Sequence, residues 1–78
     1  MSEVFDRVAT VICTELAIKR EEVVSDAKLK QDLGADSLDV VVLAIEIEEE
    51  FDIDIPDEDI ENLETVKQLV QYVESKIA

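Results

Sequence analysis

Apolar side chains recur every three or four residues in three stretches of the chain, which is the spacing of an amphipathic helix. We therefore predict helices over 3–16, 37–51 and 66–77. The residues expected to face a common core are Val4, Phe5, Val8, Val11, Ile12 and Leu16 in the first of these helices, Val40, Leu43, Ala44, Ile47 and Phe51 in the helix over 37–51, and Val66, Leu69, Val70, Val73 and Ile77 in the helix over 66–77.

Residues that cap helices stand at each predicted start. Ser2 precedes the first helix and Asp36 precedes the second. Asp39 then falls in the first turn of the second helix, where the helix dipole favours an acid. Thr65 and Gln68 have the spacing of a capping box at the start of the helix predicted over 66–77. The sequence thus predicts where the chain enters each helix.

The two long connections differ in character. Residues 17–35 are long for a loop in a compact domain, so we expect a turn or two of helix inside them. Gly34, the only glycine, is expected to adopt a backbone conformation that other residues resist. Residues 52–56 alternate like a strand but lack a partner strand, which favours an extended loop, and Pro56 then begins a short helix. The residues expected to pack inward from these connections are Val23 or Val24, Leu29, Leu33, Ile60 and Leu63.

These elements predict an all-α fold, a small four-helix bundle with three longer helices, one short third helix and a long first loop. The length fits one domain over 1–78, and such a chain buries only about 60–65% of its unfolded surface. The helix predicted over 37–51 has more apolar residues than one face can bury. A second apolar stripe, which we expect to be exposed, is formed by Leu38, Val41, Val42 and Ile45.

The composition excludes several functions. The chain has 21 acids and 7 bases, a formal net charge of −14, no His and one Cys. Without His there is no Ser-His-Asp or Cys-His nucleophile system, and one Cys permits neither an internal disulfide nor a cysteine-based zinc site. The charge disfavours binding to nucleic acid or to an anionic membrane. Of the 21 acids, 13 fall within 36–64, which contains no base.

The sequence gives no indication of secretion or membrane insertion. Charged residues interrupt the N-terminal apolar pattern, and no apolar run approaches the ~20 residues needed to span a bilayer. A single Cys agrees with a reducing compartment. We therefore expect a soluble, cytoplasmic, monomeric protein in which Cys13 packs as a small core residue.

Two candidate sites lie in the acidic part of the chain. A Ser at a helix start is most often a capping residue, but Asp36 already offers a cap and leaves Ser37 free to point outward. A helix N-terminus favours an attached or bound phosphate group at such a position. Asp52, Asp54 and Asp57 invite a calcium interpretation, but the segment lacks the central Gly of an EF-hand loop. We therefore predict no metal site.

Several motifs, taken together, resemble those of a known family. Residues 33–38 read LGADSL and are followed by Asp39, by EEEF at 48–51 and by IDIPDED at 53–59. In these motifs, their spacing and its length, the chain resembles the acyl carrier proteins of type II fatty acid synthesis. The resemblance implies that Ser37, flanked by Asp36 and Leu38, carries a 4′-phosphopantetheine arm that a separate transferase takes from coenzyme A. The arm's thiol would hold growing acyl chains as thioesters, so the protein itself would not be an enzyme.

The same resemblance makes the acidic second helix a docking surface for fatty acid synthesis enzymes and for phosphopantetheinyl transferase, both through basic patches. We favour docking over a merely solvated face, because solubility does not require an exposed apolar stripe. The residues expected to meet partners are Asp39, Val41, Ile45, Glu46, Glu48 and Glu49. The family's bundle also encloses an apolar cavity that can shelter the acyl chain.

Three positions depart from the family pattern. Ala17 stands where Gly is frequent, Val42 where an acid is usual, and Glu46 where a small residue is usual. A specialised carrier for a polyketide-type or other dedicated acyl-transfer pathway therefore stays open, as does an acidic interaction module without a prosthetic group. Glu46 and Glu50 are like charges one helical turn apart, so we expect repulsion between them to raise carboxyl pKa values.

Overall fold

Four α-helices form most of the chain, of which the computed structural model describes residues 3–77. They are α1 (Glu3–Leu16), α2 (Ser37–Phe51), α3 (Asp57–Ile60) and α4 (Val66–Ile77), and a 3₁₀ turn, Arg20–Glu22, lies in the first loop. The one β-type pairing within 3–77 is an isolated bridge between Lys28 and Thr65. The predicted all-α bundle with a long first loop and a short third helix is confirmed. The N-cap predicted at Ser2 lies outside the described residues.

A single apolar core lies between the three long helices. α1 packs against both α2 and α4. Ile12, Ile47 and Val66, one from each long helix, have no exposed surface, and none of the buried residues in the described part of the chain is polar or charged. The predicted core faces are confirmed except at the end of α4. Ile77 is exposed, because it lies one turn beyond Val73, where the core ends.

The turn that ends α1 fixes the direction of the first loop. Ala17 adopts a left-handed conformation, with φ at 55°. This lets the N–H of Ile18 donate to the carbonyl of Cys13 at 3.2 Å, the long-range bond of a Schellman cap. Ile18 and Cys13 are both half-buried against the core. The conformation explains why Gly would suit position 17, since a side chain there is strained.

The rest of the first loop is held by buried side chains and by backbone bonds to the segment before α4. Val23 is buried and Val24 is exposed, which decides between the two residues that the sequence left open. Leu29 and Leu33 are buried as predicted. The N–H of Leu29 donates to the carbonyl of Glu64 at 2.8 Å. These contacts place the loop beside the start of α2.

Two arginines form ion pairs at the surface of the bundle. The Arg7 guanidinium lies 4.3 Å from the centre of the Phe51 ring and forms an ion pair with Glu50 at 2.9 Å. Arg20 pairs with Asp6 at 3.1 Å in the same way. Both pairs are about half exposed to solvent, so each stabilises the fold by at most about 1 kcal/mol. Among the helices of residues 3–77, none combines the length and the apolar content needed to cross a membrane.

Candidate functional site

Ser37 is the first residue of α2, and a capping box fixes the backbone around it. The N–H of Asp39 donates to the Asp36 carboxylate at 2.8 Å, and the N–H of Asp36 donates to the Asp39 carboxylate at 3.2 Å. Asp36 itself is extended, with φ at −94°. The cap predicted at Asp36 is confirmed, and it holds Ser37 at the exact point where extended chain becomes helix.

The approach to this turn alternates buried and exposed residues. Leu33 and Ala35 are buried, and the N–H of Ala35 donates to the carbonyl of Leu29 at 2.9 Å. Gly34 between them has φ at +77°, as its expected special conformation requires. A Cβ at Gly34 would meet no atom within 4 Å, so the backbone angle rather than lack of space demands glycine.

The Ser37 side chain is open to solvent. The residue is exposed, and its hydroxyl makes no hydrogen bond to any other residue in the described range. The first N–H groups of a helix have no partner inside the helix and carry its positive dipole end. Leu38, the next residue, is 71% exposed. An anionic group joined to Ser37 would therefore lie in a favourable field.

A groove of about 460 Å³ opens beside Ser37. It lies between α2, the first loop and the segment from α3 to α4. The apolar residues that line it are Val40, Val41, Ile60 and Leu63. The charged residues that line it are Lys30, Glu61 and Glu64.

Behind the groove, the interior is nearly closed. A small apolar space of about 10 Å³, roughly that of one water molecule, lies among Leu29, Leu43 and Leu69. Val40 and Leu63 line both this space and the groove, so these two side chains separate them. The interior space between these residues therefore has about the size of one water molecule, and the larger accessible volume is the groove.

Comparison with known protein families matches residues 6–73 to the family described as the phosphopantetheine attachment site. The chain belongs to this family. Its members are carrier domains with a covalently attached 4′-phosphopantetheine, and they interact with pathway enzymes and with phosphopantetheinyl transferase. The prediction of this cofactor is confirmed.

The residues of this carrier domain fit such a group. Ser37 offers an exposed hydroxyl for the phosphodiester, the start of α2 offers a favourable field for its charge, and the groove offers room and an apolar wall. When bound, the group supplies a thiol on a flexible arm, where an acyl or peptidyl unit is held as a thioester.

The apolar stripe of α2 leads away from Ser37 along the carrier's surface. Leu38, Val41 and Ile45 are exposed as predicted, with 71%, 39% and 49% of their surface accessible. Val42 differs from the prediction, since it is half-buried. Glu49 is exposed near the far end of α2. The last turn of α2 holds acids and no base.

Three of the acids predicted to meet partners are half-buried and interact with other parts of the carrier domain. Asp39 is half-buried and belongs to the capping box. The Glu48 carboxylate accepts the N–H of Ile55 at 2.8 Å and so fixes the extended segment after α2. Glu46 is half-buried, and its Oε1 atom is out of contact with water and without a hydrogen-bond partner in the described structure.

Glu46 lies near the like charges of Glu15 on α1 and of Glu49 on its own helix. The Glu15 side chain of α1 is the largest influence that raises the pKa of Glu46, and burial and the charge of Glu49 raise it further. The prediction that Glu50 is the residue that repels Glu46 is wrong, because Glu50 forms an ion pair with Arg7.

Sequence reasoning missed the contact that holds α3. The Tyr72 hydroxyl on α4 donates to the Asp59 carboxylate on α3 at 2.6 Å. Burial, this bond and the charges of Asp59 and Glu48 raise the pKa of Tyr72 to about 12. α3 is one turn long, so this tie and the buried Ile60 hold it over the groove. The sequence signal that could have indicated this contact was the single tyrosine, which lies on α4, together with the acids of α3.

Within residues 3–77, no group of three or more Cys, Asp or Glu side chains is arranged to hold a metal ion. The acids at 52, 54 and 57 are exposed and lie along an extended segment and the start of α3.

Proposed function

We propose that the chain is an acyl carrier protein of type II fatty acid synthesis, with its 4′-phosphopantetheine arm attached to Ser37. The observation that carries the proposal is the exposed Ser37 hydroxyl at the capped start of α2, inside LGADSLD and beside an apolar groove. The protein acts as a single cytoplasmic domain and catalyses no reaction itself. It delivers growing acyl thioesters to separate enzymes.

Each residue at the site has a defined role in loading. Ser37 supplies the oxygen that forms the phosphodiester while the pyrophosphate bond of coenzyme A breaks and its nucleotide part leaves, and the hydroxyl proton passes to a base of the transferase. Asp36 keeps the helix start in place through its bond to Asp39. Leu38 extends into solvent next to Ser37 and offers the transferase an apolar contact.

Docking of the loaded carrier uses the surface of α2. The exposed apolar residues Leu38, Val41 and Ile45 give short-range contact, and exposed acids such as Glu49 attract partners with basic patches. Charge attraction of this kind speeds encounter and weakens with salt. A carrier that visits many enzymes requires such brief binding.

The acyl chain is sheltered from the groove inward. The apolar wall of the groove is continuous with the small interior space through Val40 and Leu63. Rotation of these two side chains would join the two volumes without breaking any hydrogen bond, since the lining there is apolar.

A carrier dedicated to another acyl-transfer pathway is the second candidate. The observation that favours it is the charge arrangement of α2, where Val42 stands at a position that usually holds an acid in the family it resembles and Glu46 lies under the influence of Glu15. This arrangement moves charge from the docking face toward α1, which bears on partner choice and leaves the arm unaffected.

Intact-protein mass spectrometry after incubation with coenzyme A and a phosphopantetheinyl transferase tests the proposal. The wild type should gain the mass of one arm and Ser37→Ala should gain nothing. Ser25→Ala, which alters another exposed serine, is the matched control and should gain the arm normally. No gain in the wild type, or an equal gain in Ser37→Ala, would overturn the proposal and favour an adaptor without a prosthetic group.

The pathway is tested on the loaded protein. Incubation with purified fatty acid synthesis enzymes, a malonyl donor and a reductant should give a ladder of acyl masses on the arm. An arm that is attached but never extended would favour the dedicated carrier.

A further inference from the structure

Lys30 stands out among the residues around the groove because of its charge. Among the described residues that line the groove, Lys30 is the one base, and it lies there with Ser37 and the acids Glu61 and Glu64. Residues 36–64, which supply α2, α3 and the rest of that lining, contain 13 acids and no base. Any cation that the protein itself offers to the groove must therefore come from the first loop.

The backbone at Lys30 is fixed although its side chain is free. Leu29, its neighbour, is buried, its N–H donates to the carbonyl of Glu64 at 2.8 Å, and its carbonyl accepts the N–H of Ala35 at 2.9 Å. The ion pairs in the described part of the chain join Arg7 to Glu50 and Arg20 to Asp6, and Lys30 takes part in neither. The loop thus presents an exposed, unpaired ammonium from a backbone that hydrogen bonds hold in place.

We propose that Lys30 is a positioning residue for the prosthetic arm, and that its ammonium pairs with the phosphodiester on Ser37 and holds the arm along the groove. The inference rests on the proposed attachment at Ser37. The phosphodiester adds one negative charge to a groove that already holds two acids and one base. Lys30 is the lining residue that offsets this charge, because an ammonium is a point charge on a flexible stem that suits phosphate.

Pairing with the phosphate would bias the arm rather than lock it. Exposed ion pairs shift an equilibrium by roughly two- to five-fold. That range suits a carrier, since the arm lies against Val41, Ile60 and Leu63 between visits and leaves when a partner competes for it. A tighter hold would slow delivery.

Nuclear magnetic resonance of the arm-loaded protein tests the pairing. Loading should shift the Lys30 ammonium signal and leave that of Lys28 unchanged. Lys28 is the matched control, since it is exposed in the same loop but does not line the groove. Nuclear Overhauser peaks between the arm's methyl groups and those of Ile60 and Leu63 should weaken about two- to five-fold in Lys30→Gln. They should keep their strength in Lys28→Gln and in Lys30→Arg.

The outcomes separate this inference from the proposal beneath it. If the mass of the loaded protein shows the arm but loading leaves the Lys30 signal unmoved, or Lys28→Gln weakens the peaks as much as Lys30→Gln, Lys30 is only a solvated side chain. If no arm is attached at all, the proposed function fails first. Melting curves of the unloaded variants check that each one folds.

Discussion

Replacement of Asp36 should separate the hydrogen bond of the α2 cap from its charge. Asp36→Ala removes the acceptor for the Asp39 N–H, whose donor–acceptor distance is 2.8 Å, and also removes a charge at the positive end of a 15-residue helix. Loss of an N-cap costs about 1 kcal/mol, and loss of an acid at a helix start costs about 0.3–1 kcal/mol. The free energy of unfolding should therefore fall by about 1–2 kcal/mol.

Asp36→Asn should behave differently, because asparagine keeps the acceptor and is an equally good N-cap. This variant loses the attraction to the helix dipole but also the repulsion from Asp39. These two small effects oppose each other, so we expect the free energy of unfolding to change by only about a few tenths of a kcal/mol. The gap of about 1 kcal/mol between the two variants should appear as a melting-temperature difference of about 4–8 °C for a domain of this size.

Urea unfolding of the unloaded protein, followed by circular dichroism, measures these differences. The midpoint should move and the slope should stay constant. Asp54→Ala is the matched control, since it removes an exposed acid that forms no hydrogen bond within the described residues. Equal losses in Asp36→Ala and Asp36→Asn would refute the reasoning, because the effect would then come from charge and not from the cap. The same pair of variants, compared for the rate of arm attachment, tells whether the cap also positions Ser37.

Two further predictions concern ionisable groups that the fold brings together. The pKa of Glu46 is raised in the fold, so its contribution to stability is complete below its usual value of 4.5 and is lost as pH rises through the folded value. Glu46→Gln cannot ionise, so it should melt with the wild type at pH 4 and above it at pH 7; a variant that melts lower at pH 7 would contradict the raised pKa of Glu46. Tyr72 is the only tyrosine and there is no Trp, so absorbance at 295 nm follows its ionisation alone, with an expected midpoint of about 12. In Asp59→Asn that midpoint should move down toward 10, and an unchanged midpoint would show that Asp59 does not hold the hydroxyl.

The elements that depend on neighbours in sequence could be predicted from the sequence. Asp36 caps α2 and Gln68 closes the box at α4, because a cap and its helix are adjacent in the chain. The exposed stripe at Leu38, Val41 and Ile45 followed from helical spacing, because one helix cannot bury two faces in a small bundle.

Contacts between distant parts of the chain could not be predicted. Repulsion on Glu46 was expected from Glu50 on its own helix, whereas the largest influence comes from Glu15 on α1, since only packing decides which helix faces it. The choice of Val23 over Val24 depends on the path of a loop that has no period. Lys30 reaches the groove because Leu29 is bonded to Glu64, a contact across 35 residues.

The acids at the end of α2 connect folding with association. That turn holds Glu48, Glu49 and Glu50 and no base, at the helix end where the dipole disfavours negative charge. Any cationic ligand that binds these carboxylates in the folded chain must raise the apparent stability by a free energy that grows with the logarithm of its concentration over its dissociation constant. A thermal melt recorded against rising partner concentration therefore becomes a binding isotherm, and partners can be ranked without a label.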